Sequence, residues 1–268
     1  MLKAIFERIR QRHRTTKFPS GPPPGLSERF RGRPVLDQIK CAGACRECGV
    51  CPVGALTTHG QSQLDLGKCL FCGQCANACP KGAVEFTKDY RLAVDGRNDL
   101  LVTGEDYKLA SGLQGKMKSL FGRSLKLRQV SAGGCNACEA DTNVLNTIGW
   151  DLGRFGIQFV ASPRHADGIL LTGPVPQNMR LAVEKTYAAI AEPKIVIAVG
   201  ACAISGGPYA GSDEVCNGVT NLLPVDLFIP GCPPHPLTIL DGLLRFMGIP
   251  TEIAAEARES QRGPLGRQ

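Results

Sequence analysis

The chain has 268 residues, a length that favours about two domains, and it contains 13 cysteines. Its 43% hydrophobic and 21% charged residues indicate a folded protein rather than a disordered polymer. The longest apolar run, residues 195–204, is too short to cross a bilayer, so we expect no membrane span.

The net charge of +7 is concentrated at the amino terminus, where residues 1–40 hold ten basic and three acidic residues. Apolar residues recur there at helical spacing, which predicts a short basic amphipathic helix. Such a helix can lie on an anionic membrane or dock in a partner's groove, and a solvated tail is the alternative. Because the basic pattern does not continue with interleaved aromatics, no nucleic-acid partner is expected.

The start of the chain also lacks the apolar stretch of a secretory signal. We therefore expect a reducing cytoplasm, where cysteines bind metals more often than they form disulfides. The segment Ser20–Gly25, rich in proline, is predicted to be a stiff linker.

Eight cysteines fall within residues 41–79. The second half of this window has the spacing C-x2-C-x2-C-x3-C-P, which is typical of a ferredoxin loop around a 4Fe–4S cluster. Closely spaced thiolates can reach three irons of one cube, whereas zinc sites favour separated pairs. The fourth cysteine of such a run characteristically binds the other cluster.

The first half of the window is an altered copy with the spacing x3, x2, x2, and Pro-x-Gly-Ala follows the last cysteine of both copies. This internal repeat predicts two clusters, with one cluster beside a damaged loop, or zinc, as alternatives. The predicted ligands are Cys41, Cys45, Cys48 and Cys79 for the first cluster, and Cys51, Cys69, Cys72 and Cys75 for the second.

From about residue 125, apolar runs alternate with helical stretches, which predicts a parallel sheet covered by helices. The apolar positions of the last helix are expected to lie in the core. The predicted strands are 126–130, 157–161, 168–172, 194–199 and 226–229, and the predicted helices are 136–145, 178–191 and 236–247.

Cys135, Cys138, Cys202 and Cys232 each follow the end of a predicted strand, next to glycines. The carboxyl ends of parallel strands share one edge, where ligands bind, so these four thiolates can converge on a third 4Fe–4S cluster. Buried structural cysteines without metal are the alternative. Cys216 lies in a polar loop without a strand end before it, and we predict a free thiol.

Three motifs in this half carry a resemblance: GCNACE at 134–139, VGACAISGGP at 199–208 and PGCPP at 230–234. They resemble the small subunit of membrane-associated, complex-I-related nickel–iron hydrogenases of the formate hydrogenlyase type, over about residues 125–248. They are also similar to the cluster-bearing subunit of complex I, which has two adjacent cysteines where this chain has a spaced pair. Residues 1–105 resemble the two-cluster ferredoxin subunit of the same assemblies.

The resemblance implies two neighbouring subunits joined in one chain. The α/β part would be a flavodoxin-like open parallel sheet, preceded by an α+β two-cluster ferredoxin-like domain. The expected segments are a head and linker (1–25), the ferredoxin domain (26–105), a join (106–124), the α/β domain (125–250) and a tail (251–268).

The implied function is electron transfer through two ferredoxin clusters and one proximal cluster, to or from the nickel–iron site of a partner large subunit. No catalysis is expected from the chain alone. The other implied partners are membrane-arm subunits and an upstream electron donor, with a peripheral position on the cytoplasmic face of the inner membrane. A quinone-linked or other nickel-free complex-I-like module, and a stand-alone ferredoxin-type carrier, are the alternatives.

Two carboxylates, Glu139 and Asp141, directly follow the spaced cysteine pair. A carboxylate beside a redox site could move protons as electrons arrive. The alternative is a helix amino-terminal carboxylate favoured by the helix dipole. Related hydrogenases often have Glu where Asp141 stands.

Overall fold

The computed structural model describes residues 2–11, 14–41, 49–58, 61–104, 106–113, 119–121 and 124–251. Helix α1 (Leu2–Gln11) confirms the predicted amino-terminal helix. Within the described ranges, no helix is long and apolar enough to cross a membrane.

The segment after α1 is fastened to the second half of the chain. The Thr16 amide donates to the Gly149 carbonyl at 2.8 Å, and Phe18 is fully buried. The Arg154 guanidinium donates to the carbonyls of Thr16 and Phe18, each at 2.7 Å. Residues 20–25, which follow, contain no helix or strand.

The cysteine-rich part, residues 34–102, contains short antiparallel strands and, among its described residues, one short α-helix. Strand β1 pairs with β4, while β3 lies between β2 and β5. The elements are β1 (Pro34–Leu36), β2 (Leu56–Thr57), β3 (Gln63–Asp65), α2 (Gln74–Ala78), β4 (Val84–Phe86) and β5 (Leu101–Val102).

The second half forms the predicted parallel sheet. Its strands are β6 (Leu125–Ser131), β7 (Ile157–Phe159), β8 (Gly168–Thr172), β9 (Ile195–Val199) and β10 (Leu227–Ile229), and its helices are α3 (Ala137–Asn143), α4 (Gln177–Ala188), α5 (Ala201–Ser205) and α6 (Pro236–Phe246). The strand order is β10-β9-β8-β6-β7, and every pair is parallel. Counted from β6, this is the flavodoxin-like order 2-1-3-4-5, whose switch point lies between β6 and β8.

The hydrophobic pattern explains this architecture. Every residue of β8 and β9 is buried, as expected for central strands covered on both faces. All eleven residues of α6 are buried as well, which confirms that its apolar positions are core. The predicted helix 136–145 is shorter than expected, because after Asn143 it tightens into the 3-10 turn Val144–Asn146.

The two parts of the chain share their hydrophobic core. Leu64 and Leu66 of the cysteine-rich part lie in one buried cluster with Ile169 of the sheet. Val94 pairs with Phe228 of β10 through two backbone hydrogen bonds of 3.0 and 2.9 Å. The segment between β4 and β5 therefore covers the edge strand β10, which would otherwise expose unpaired backbone groups.

Residues 106–113 continue this contact. The Ala110 amide donates to the Ala93 carbonyl at 2.8 Å, and the Leu113 amide donates to the Phe246 carbonyl at 2.7 Å. Ala110 and Leu113 are both buried. This part of the chain thus lies along the end of α6.

We predict that Gly242→Ala destabilises this contact by about 1 kcal/mol. The added Cβ would lie 2.7 Å from the Ala93 Cβ and 3.2 Å from the Ile229 Cδ1. Overpacking costs about 2 kcal/mol at the middle of its usual range, and a gain of about 1 kcal/mol in helix propensity leaves a net loss of about 1 kcal/mol. The midpoint of thermal unfolding should fall by about 2–4 °C.

The matched control is Gly149→Ala, because a Cβ there meets nothing within 4 Å. Its midpoint should stay close to that of the unmodified chain. An unchanged or raised midpoint for Gly242→Ala would contradict the close packing of α6 on Ala93.

Candidate functional site

Four cysteines of the predicted second cluster, Cys51, Cys69, Cys72 and Cys75, line one cavity together. The pKa of Cys69 is raised to about 12, mainly by burial and also by the thiols of Cys75, Cys51 and Cys72. Burial also raises the pKa of Cys75. Ionised thiols are therefore costly here unless a cation compensates their charge, so the donor set suits a group of metal ions.

The first predicted cluster is described only in part. The Cys41 sulfur lies 3.0 Å from the Ser62 hydroxyl. The Cys79 sulfur accepts a hydrogen bond from the Ala83 amide at 3.3 Å, and this bond lowers the pKa of Cys79. Cys45 and Cys48 lie outside the described residues, so this ligand set stays a prediction.

The last cysteine of each repeat is held by the same turn. Gly54 and Gly82 both have φ of +59°, which a glycine adopts without strain. Each glycine amide donates to the preceding cysteine carbonyl at 3.2 Å. The Ala55 amide donates to the Cys51 sulfur at 3.2 Å, matching the bond at Cys79. The repeat found in the sequence is thus also a structural repeat, with N–H donors directed at sulfur.

Four further cysteines lie at the carboxyl edge of the parallel sheet. Cys135 follows β6, Cys138 is in α3, Cys202 is in α5 after β9, and Cys232 follows β10. Burial raises the pKa of Cys138, and the thiols of Cys202, Cys232 and Cys135 contribute to the increase. Burial raises the pKa of Cys202 to about 11. The structure therefore brings together the four thiols that the strand ends predicted.

Glycines leave space around these sulfurs. A Cβ on Gly200, which has φ of +90°, would lie 2.6 Å from the Cys138 sulfur. A Cβ on Gly207 would lie 2.7 Å from the Cys202 sulfur. At Gly173, where φ is +86°, a Cβ would collide with the Ala132 carbonyl oxygen. The edge of the sheet that carries the thiols therefore has room for a bulky inorganic group. The sequence did not indicate a role for Gly173, because that role depends on contact between the ends of two strands.

Glu139 fastens α3 to the sheet. Its Oε1 accepts hydrogen bonds of 2.6 Å from the hydroxyls of Ser131 and Thr172, the last residues of β6 and β8. Burial raises the pKa of Glu139, but hydrogen bonds from Ser131, Thr172 and the residue's own backbone amide together hold the pKa below its ordinary value. The carboxylate therefore clamps the cysteine loop at the switch point of the sheet.

Asp141 faces another environment. It lines an open cavity with Phe71, Cys232 and His235, and burial raises its pKa. The two carboxylates after the cysteine pair thus differ in surroundings and in the direction of their pKa shifts. A role of either one in proton transfer stays a prediction.

The two thiol sets are neighbours. Burial raises the pKa of Cys232, and the thiols of Cys135 and Cys72 raise it further. The cavity between the two parts is lined by Leu70 and Phe71 from the cysteine-rich part and by residues 230–235. The ring of His235 lies 5.4 Å from that of Phe30. The resemblance to two neighbouring subunits implies adjacent carriers. No motif or spacing indicated that Cys72 and Cys232 are the thiols that come close, because this depends on how the two parts pack.

Cys216 lies away from these sets, with its sulfur 3.6 Å from the Gln177 Oε1. In the part of the chain that the structure describes, no three His, Cys, Asp or Glu side chains converge on a point suited to a single metal ion.

Comparison with known proteins identifies the two parts. Residues 135–246 match the family model of the NADH ubiquinone oxidoreductase 20 kDa subunit, and residues 63–85 match a 4Fe–4S binding domain. A probable membrane-bound hydrogenase subunit, mbhJ, of Pyrococcus furiosus is 42% identical over 124 residues, which are 46% of this chain and 74% of that protein.

Two other relatives are matched over about half their length. Formate hydrogenlyase subunit 7 of Escherichia coli is 39% identical over 53% of this chain and 54% of its own. A subunit of the NADH-quinone oxidoreductase of Phocaeicola vulgatus is 43% identical over 41% of this chain and 56% of its own.

The sheet with cysteines at its carboxyl edge and the 4Fe–4S binding domain define an iron–sulfur oxidoreductase subunit. The chain belongs to the family of the 20 kDa subunit of NADH ubiquinone oxidoreductase, whose members here include subunits of hydrogenase and quinone-reducing complexes. The predicted complex-I-like family and iron–sulfur character are confirmed.

We predict that Gly200→Ala lowers the iron content by about four atoms per chain, the content of one 4Fe–4S cluster. The new Cβ would displace the Cys138 sulfur, which lies 2.6 Å from its position. Iron per chain after anaerobic purification measures the effect.

The matched control is Gly211→Ala. Gly211 has a similar φ of +85°, but a Cβ there meets nothing within 4 Å. The control also places a Cβ at a positive φ but does not touch a thiol, so its iron should be retained. Equal iron loss in both variants would show that strain, rather than the space around Cys138, is responsible.

Proposed function

We propose that this chain is the electron-transfer subunit of a complex-I-related nickel–iron hydrogenase. Three 4Fe–4S clusters, when bound, would carry single electrons to or from a nickel–iron site in a partner large subunit. The chain's own contribution is to hold the clusters, to bring them close together and to shield them from water.

The observation that carries this proposal is the proximity of the two thiol sets. Leu70 and Phe71, which directly precede Cys72, line one cavity with Cys232, and the Cys72 thiol raises the pKa of Cys232. This supports an order in which the group held by Cys51, Cys69, Cys72 and Cys75 is adjacent to the group at the sheet edge. The shared core would keep this separation fixed, without the search that separate carriers need.

The spaced pair Cys135 and Cys138 favours the hydrogenase over a quinone-linked module. Of the two families that the chain resembles, the hydrogenase small subunit has the spaced pair, whereas the complex I subunit has two adjacent cysteines. The names of the hydrogenase relatives support the same choice. Cys135 and Cys232 are exposed at the sheet edge, which leaves room for a large subunit to cover them.

The proposal includes the wider assembly. Membrane-arm subunits and an upstream electron donor would complete the complex, and the chain would be peripheral, on the cytoplasmic side of the membrane. The relative named as a membrane-bound hydrogenase subunit supports this arrangement.

Anaerobic affinity purification from the native cells, with nickel analysis and a hydrogen-to-viologen assay, tests the hydrogenase assignment. We expect about one nickel per complex and hydrogen-dependent dye reduction. Iron with a stable large partner but no nickel would reassign the chain to a quinone-linked or other nickel-free complex-I-like module.

We predict that Cys232→Ala removes one cluster, about four of about twelve irons per chain, and stops electron transfer to the partner. The clusters of the cysteine-rich part should remain, because their proposed ligands are elsewhere. Iron analysis with hydrogen-dependent dye reduction measures both effects. Cys216→Ala is the control and should retain full iron and activity, while unchanged iron in Cys232→Ala would remove Cys232 from the ligand set.

We predict that Cys72→Ala separates the partner's chemistry from the upstream donor. Hydrogen turnover at the large subunit, measured by isotope exchange between hydrogen and water, should be retained. Donor-linked hydrogen production should fall at least about tenfold, because the proposed adjacent carrier is lost. Retained donor-linked activity would contradict the order of carriers.

A further inference from the structure

Helix α1 exposes an apolar face. The exposed fractions are 74% for Leu2, 55% for Ile5, 71% for Phe6 and 69% for Ile9. At about 100° per residue, these four side chains form one stripe along the helix. Four of the ten large apolar side chains that are exposed among the described residues lie on this ten-residue helix. Such a concentration on one face marks an interaction surface rather than scattered exposure.

Basic residues flank this stripe. By the same helical spacing, Arg8 lies on one side of it and Lys3 and Arg10 lie on the other. Glu7, the acidic residue of the helix, lies opposite the stripe and pairs with Arg10 at 3.6 Å. Apolar residues between flanking cations are the pattern of a helix in the plane of a membrane interface, since long basic side chains can reach the headgroups while the stripe enters the lipid.

The helix is also tethered close to its end. The Thr15 hydroxyl donates to the Ile148 carbonyl at 2.9 Å, next to the bonds that fasten Thr16 and Phe18 to Gly149 and Arg154. Ile148 itself is 59% exposed. Anything that binds α1 is therefore held close to the loop between α3 and β7.

We infer that α1 binds flat on an anionic lipid surface and anchors the chain there. The positive charge of the flanking residues favours anionic headgroups, and the side chains of the apolar stripe are buried in the lipid. The tether then holds the 148–154 loop, and the domain behind it, near the membrane. This inference rests on the membrane association proposed above, but it assigns that contact to residues of this chain rather than to partner subunits.

Vesicle flotation of the full chain, isolated anaerobically with its iron, tests the inference. The vesicles are phosphatidylcholine alone or phosphatidylcholine with phosphatidylglycerol. We expect binding to the anionic vesicles that weakens as salt is added. Phe6→Ser should weaken it about tenfold, because a large apolar side chain is lost. Arg8→Gln should weaken it about fivefold, since one cation near a charged leaflet is lost.

Two matched controls lie on α4. Leu181→Ser removes an apolar side chain that is 59% exposed, and Lys185→Gln removes an exposed cation. Both should bind like the unmodified chain, and all four variants should keep its iron content. Equal binding to both kinds of vesicle, or Phe6→Ser binding as well as Leu181→Ser, would overturn the inference.

A groove on a partner protein gives a different result. In that case the full chain would bind neither kind of vesicle, and Phe6→Ser would release it from the purified complex. This outcome would overturn the lipid contact, yet a complex that still contained nickel and reduced viologen with hydrogen would leave the proposed function intact.

Discussion

The cost of ionising thiols that are crowded together and partly withdrawn from water governs both candidate sites of this protein. Cys69, Cys75, Cys138, Cys202 and Cys232 all have raised pKa values, with burial as the largest cause. Thiolates clustered in such surroundings repel one another and need positive charge between them. Backbone amides directed at sulfur supply part of this positive charge, and glycines leave space beside the sulfurs. The sites lie at loops where chain segments distant in sequence converge. Iron–sulfur clusters supply the compensating charge when bound.

The shared hydrophobic core fixes the position of the two candidate sites relative to each other. Val94 extends the parallel sheet at Phe228, while Leu64 and Leu66 pack with residues of the sheet. The Ser205 hydroxyl donates to the Gly67 carbonyl at 2.8 Å, which ties the helix of Cys202 to the loop before Cys69. Two parts that resemble separate subunits are thereby packed as one body around neighbouring thiol sets. A flexible connection could not hold such a fixed separation.

Local patterns predicted what depends on local chemistry. The cysteine spacing predicted that Cys51, Cys69, Cys72 and Cys75 lie close together, as they do around one cavity. The apolar runs predicted the five parallel strands. The proximity of Cys72 to Cys232, the clamp from Glu139 to Thr172 and the fastening of Thr16 by Arg154 were not predicted. Each of these contacts joins residues that are far apart in sequence, and tertiary packing of this kind leaves no periodic pattern in the sequence. Residues 106–124, with glycines among polar residues, were expected to be a join, so the burial of Ala110 and Leu113 was not predicted.

The proximity of the two thiol sets is the central claim, and magnetic coupling between their clusters tests it most directly. Electron paramagnetic resonance of the fully reduced chain should show signals broadened by spin–spin interaction between the cluster near Cys72 and the cluster near Cys232. Replacing either cysteine by alanine should remove the part of the broadening that this pair of clusters produces. Signals of isolated clusters in the unmodified chain, with the iron content of three clusters, would contradict the account.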